Sequence, residues 1–85
     1  MALYLVQIVD RAHRFAEVAA IHDAFEADLG LWFIESDQSL SRLYHAIKYQ
    51  LRPHGPLFVV QMQSPPKFKN LKPGALNWIR SRFPG

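Results

Sequence analysis

Three short apolar runs constrain this chain more than any other feature: residues 3–9 (LYLVQIV), 31–34 (LWFI) and 57–62 (LFVVQM). Each is too short for an independent helix and rich in residues that favour extended backbone, so each reads as a buried strand. None alternates apolar with polar side chains in the way of a strand with one wet face. A sheet made of them has to be covered on both sides. A chain of 85 residues forms a single domain, 1–85, and buries a modest share of its surface, so a compact core or an oligomer is expected.

Between the strands the hydrophobic period changes. Phe15, Val18, Ala19, His22, Phe25 and Leu29 share one helical face, with Glu17, Asp23 and Glu26 largely outside it, and Gly30 supplies a stop. Leu40, Leu43, Tyr44, Ile47 and Leu51 form the clearest apolar stripe; the Asp and Ser of Glu35-Ser36-Asp37-Gln38-Ser39 are candidate N-caps before it, and Pro53 ends it. Pro65-Pro66 breaks the third strand, residues 64–74 are a Pro/Lys-rich loop, and 75–83 form a short terminal helix with Leu76, Ile79 and Phe83 on one side. Three strands and two longer helices make a small α+β or α/β sandwich. The helices cover one sheet face; the terminal helix covers part of the other, and a partner subunit is expected to cover the rest as a homodimer.

Charge is divided along the chain. Residues 1–50 hold four basic side chains against seven acids, a net −3, whereas residues 51–85 hold Arg52, Lys67, Lys69, Lys72, Arg80 and Arg82 and no acid, a net +6. A one-signed segment is either an electrostatic footprint for a polyanion or a solvated basic surface. The absence of cysteine removes disulfide frameworks, thiol nucleophiles and Cys-rich zinc sites. No run approaches a membrane span, and the N-terminal ten residues lack the basic start of a signal peptide, so a cytoplasmic protein is expected.

Glycines at 30, 55, 74 and 85 fit neither a P-loop nor a dinucleotide-binding pattern, and no serine lies in a nucleophile-elbow context. Asp10 ends the first strand, a position where open sheets present metal ligands or catalytic groups; the other reading is a helix cap. His22 falls on the apolar face of the first helix and reads as a packed imidazole, and His13 and His54 lie in turns. On the second helix Arg42, His45, Lys48 and Tyr49, continuing to Arg52, project away from the apolar stripe. Cations interleaved with rings suit phosphate contact and base stacking, and equally describe a solvated helix face. Trp32 and Trp78 read as core or interface anchors. In residues 67–72 (KFKNLK) cations alternate with apolar side chains, as in a strand along a nucleic acid or a docked tail with its lysines in water.

The order of these elements, LYLVQIVD, a helix, LWFIESDQSLSRLYHAIKYQL, PLFVVQM and a terminal ALNWI, resembles the SinR-like and VapD-like relatives of the small CRISPR-associated endonuclease. The likeness is best over residues 32–83 and mostly hydrophobic. It implies a ferredoxin-like βαββαβ domain that dimerises through its sheet, contacts nucleic acid with basic residues and, in nuclease members, binds Mg²⁺ or Mn²⁺ through the residue that is Asp10 here. Two departures stand out: Val9 precedes Asp10 where nuclease members often have Tyr, and a further strand before Trp32 requires a hairpin through residues 25–31 at the expense of the first helix. Without that strand the topology is a three-stranded βαβαβ.

Three readings of function follow. One is a bacterial or phage-derived homodimer that binds DNA or RNA, related to defence or toxin systems and without nuclease activity, using Arg42, Lys48, Tyr49, Arg52, Lys67, Lys69, Lys72, Arg80 and Arg82. The second is a metal-dependent endonuclease or endoribonuclease with Asp10 as ligand. The third is a protein–protein adaptor or inhibitor whose basic surface meets an acidic partner.

Overall fold

The computed structural model describes residues 1–9, 15, 23–51 and 55–83. In chain order they form β1 (Ala2–Ile8), β2 (Asp23–Asp28), β3 (Leu31–Ser36), α1 (Leu40–Leu51), β4 (Leu57–Met62) and α2 (Ala75–Arg82). The four strands make one sheet in the order β2-β3-β1-β4, with every neighbouring pair antiparallel. Strands β1 and β2 therefore run the same way, as do β3 and β4, and each such pair needs a crossover. For β3 to β4 the crossover is α1; the connection from β1 to β2 falls largely outside the described residues. The strand order and the single β2–β3 hairpin make this a small α+β fold compatible with the ferredoxin-like class.

The register explains why the strands do not alternate in polarity. On one face Tyr4, Val6, Ile8 and Ile34 pack with Phe15 and with Leu43 and Ile47 of α1, and Leu57 and Val59 of β4 join them. Leu43 and Ile47 are fully buried, which contributes about 1.5–3 kcal/mol each by transfer from water. On the opposite face Leu3, Ala27 and Phe33 pack with Ala75, Trp78 and Ile79 of α2, joined by Phe68 and Leu71 from the preceding loop. Both faces of one sheet are thus core. The terminal segment provides the second cover, as the apolar strands require.

Strand β2 departs from the helical pattern expected over residues 15–29. Phe25 lies in a strand, paired with Phe33, and Leu29 stands in the turn with its side chain 83% exposed; Val18, Ala19 and His22 lie outside the described residues. Gly30 determines the outcome. It adopts φ 76° in the two-residue connection to β3, and a Cβ there would come within 2.6 Å of the Ile8 carbonyl oxygen. The Gly30 carbonyl in turn accepts the Ile8 N–H at 2.8 Å. Glycine here is a hairpin residue locked to the end of β1 rather than a helix stop. The hairpin restores the second strand of the ferredoxin-like order, so the sheet has four strands and the three-stranded alternative is set aside.

The capping of α1 follows the sequence. The Ser39 side chain accepts the Arg42 N–H at 3.2 Å and its carbonyl accepts the Leu43 N–H at 2.9 Å, so Ser39 is the N-cap. The approach to the helix is held by Tyr4, whose hydroxyl donates to the Gln38 carbonyl at 2.6 Å, and by the buried Ser36 side chain, which accepts the Gln38 N–H at 3.1 Å. Burial pushes the Tyr4 phenol above its usual value.

Candidate nucleic-acid interface

The outer face of α1 is positive and aromatic because of what the helix omits. Its 12 residues, LSRLYHAIKYQL, contain Arg42, His45 and Lys48 and no Asp or Glu. With Leu43 and Ile47 against the sheet, the 3.6-residue period turns Arg42, His45, Lys48 and Tyr49 to solvent, where all four are exposed. Tyr49 and His45, one turn apart, stack with ring centroids 5.8 Å apart and planes at 26°. Tyr44 meets the His45 ring edge-on at 5.3 Å. The Lys48 ammonium lies 5.9 Å from the Tyr44 ring centre and 5.8 Å from that of Tyr49, within reach of a cation–π attraction to both.

Backbone chemistry fixes the orientation of His45. Its Nδ1 lies 2.7 Å from the Ser41 carbonyl oxygen, and a carbonyl only accepts, so Nδ1 carries the proton. In the neutral ring Nε2 is then left as an acceptor. The ring is held to its own helix while it stacks on Tyr49, a residue that is 65% exposed. Arg42 and Lys48 make no ion pair among the described residues.

The cations expected from the second half of the sequence divide into two groups. Lys72 pairs with Glu26, and its backbone N–H donates to the Ala27 carbonyl at 2.8 Å. That carbonyl is available because the β2–β3 register shifts between Glu26 and Asp28, leaving Ala27 as the extra residue of a bulge. Arg82 donates to Asp23 and to the Trp78 carbonyl at 3.2 Å, lies 3.7 Å from Glu35, and stacks 3.9 Å above the Trp78 ring. Asp23 and Glu35 are directly opposed across β2 and β3, so their mutual repulsion is relieved by the cation between them. Both Lys72 and Arg82 are thus engaged in holding the terminal segment to the sheet.

The others are differently placed. Lys67, Lys69 and Arg80 are exposed and make no ion pair among the described residues, while Phe68 and Leu71 point into the second core. The alternation in KFKNLK is that of a docked segment with its lysines outward. These three cations lie on the α2 layer, across the sheet from Arg42 and Lys48, so the fold does not merge them with the α1 face into one surface. Asp10 and Arg52 lie outside the described residues.

Sequence reasoning missed the internal pairing of Lys72 and Arg82; the signal available was the opposite charge of the two chain halves. Among the described residues no three His, Asp or Glu side chains form a cluster able to hold a metal ion, and no helix is long and apolar enough to cross a membrane. The fold is a small α+β domain, compatible with the ferredoxin-like class, with an acid-free aromatic helix face. Comparison with family models, curated proteins and solved structures finds no match.

Proposed function

We propose that this domain binds nucleic acid through the outer face of α1. The observation that supports this most is the combination of two cations, Arg42 and Lys48, with the stacked His45–Tyr49 pair on a helix lacking any carboxylate. Phosphates are attracted to exposed cations not already paired with protein acids, and bases add stacking on exposed rings. Lys67, Lys69 and Arg80, each exposed on the other layer, offer a long polymer additional contacts. The decisive measurement is fluorescence anisotropy of labelled DNA and RNA across a salt series. Replacing Arg42 and Lys48 together by Gln is expected to weaken binding and to reduce the log-affinity slope against log salt by about 1.4 for a single strand, two phosphate contacts at ~0.7 each. No binding to any DNA or RNA at low salt would favour the adaptor reading.

The same reading includes a homodimer formed through β4. The two sheet edges differ sharply. The β2 edge carries Asp23, Glu26 and Asp28, a bulge and the Lys72 N–H bond to Ala27. The β4 edge, LFVVQM, is uncharged, with Phe58 54% and Val60 38% exposed on the face shared with Leu5. Unprotected apolar edges pair with other strands, and an uncharged strand can pair antiparallel with its own copy without repulsion. Light scattering should report a dimer that Phe58→Lys with Val60→Lys converts to a monomer. A monodisperse wild-type monomer at tens of micromolar would defeat it.

A further inference from the structure

We infer that the α1 face selects unpaired bases, so that the nucleic acid it takes is single-stranded, with one base stacked on Tyr49 in each protomer. This rests on the nucleic-acid reading and adds the class of ligand. His45 occupies one side of Tyr49, at 5.8 Å between centroids and 26° between planes, and is itself tied to the Ser41 carbonyl. One ring face is therefore supported from within, in a residue that is 65% exposed. Such a supported ring is a stacking platform for a flat group arriving from outside. In a duplex the base faces are already stacked on one another, and only an unpaired base offers one.

Two cations flank the ring pair. Lys48 lies 5.8 Å from the centre of the Tyr49 ring, a distance that suits a phosphate contact flanking the stacked nucleotide, and Arg42 adds a second cation on the same helix face. Among the described residues the surface is local: one helix face with two cations. A duplex gains most from extended rows of cations matched to its phosphates, and the described residues of this face supply two. Stacking, by contrast, needs one ring and is tolerant of base identity because every base has a π-face. Little sequence preference is expected. The support from His45 makes it a positioning residue for Tyr49, distinct from the cations that hold phosphate.

The test compares oligothymidylate and oligouridylate with a duplex of the same length at low salt, using wild type, Tyr49→Leu, Tyr49→Phe and His45→Ala, each checked for folding by its thermal transition. The single strands are expected to bind more tightly than the duplex, and Tyr49→Leu to weaken single-strand binding by about 5- to 30-fold while leaving duplex binding unchanged. Tyr49→Phe should retain the preference, because the ring and not the hydroxyl is used, and His45→Ala should fall between the two. Equal binding of duplex and single strand, unaffected by Tyr49→Leu but weakened by the Arg42→Gln, Lys48→Gln pair, would overturn this inference and leave the nucleic-acid reading standing. Failure of every oligonucleotide to bind would overturn both.

Discussion

On one face of the sheet α1 buries Leu43 and Ile47 and leaves Arg42, His45, Lys48 and Tyr49 in water; on the other, residues 63–83 insert Phe68, Trp78 and Ile79 and fasten themselves with Lys72 and Arg82. Both layers are basic in sequence, yet their cations do different things. The regular helix needs no charge to dock, because its apolar stripe and Ser39 cap suffice. The terminal segment has only eight helical residues, approaches the sheet through an irregular loop, and lies beside Asp23, Glu26 and Glu35. Two of its cations, Lys72 and Arg82, complete the fold, while Lys67, Lys69 and Arg80 stay exposed. Whether a lysine or arginine is available to a ligand is thus decided by the carboxylates beside it.

The largest expected effect breaks the second layer. Trp78 is nearly buried, contacts Phe33 at 5.9 Å between centroids and carries the Arg82 guanidinium on its face. Trp78→Ala should cost about 3–4 kcal/mol in urea unfolding, from the lost transfer energy and the cavity left behind. A loss below about 1 kcal/mol would mean that the segment is not part of the cooperative core.

The first layer is probed more gently at Tyr4, whose hydroxyl supports the entry to α1. Tyr4→Phe removes the donor to the Gln38 carbonyl and is expected to cost about 1–2 kcal/mol. The pH dependence follows from the raised phenol. The unfolded chain releases this proton near pH 10, whereas the folded protein holds it to higher pH. The folded state therefore binds more protons in that window, and stability falls as pH rises above about 10. Below that value the contribution is fully present. Denaturant unfolding at neutral and alkaline pH should show this loss in wild type and a smaller one in Tyr4→Phe.

Much of the frame was legible because it rests on local pattern. The 57–62 run and the 40–51 stripe coincide with β4 and α1, and the terminal helix ends one residue earlier than the expected 75–83. Strand β2 was obscured because Phe15, Phe25 and Leu29 fall by coincidence at helical spacing, while a short edge strand with three acids has little apolar signal of its own. Its carboxylates make sense only beside Lys72 and Arg82, more than forty residues away. The acid-free face of α1 could be read directly from its sequence. The −3 and +6 halves could not be interpreted there, since separation along the chain says nothing about meeting in space.

The smallest effects separate cations that hold the fold from those left to a ligand. Arg82 is mostly buried, bonded to Asp23 and the Trp78 carbonyl and stacked on an indole, so Arg82→Gln should cost about 1 kcal/mol. Lys72 and Glu26 are 47% and 35% exposed, and solvent screens such a pair, so Lys72→Gln should cost only about 0–0.5 kcal/mol. Its backbone bond to Ala27 does not depend on the side chain and survives the change. Because Lys72 is already neutralised by Glu26, removing it should also leave nucleic-acid affinity and its salt slope close to wild type, unlike removal of Arg42 and Lys48. Equal losses of affinity at Lys72 and Lys48 would mean that the ion pair opens for phosphate.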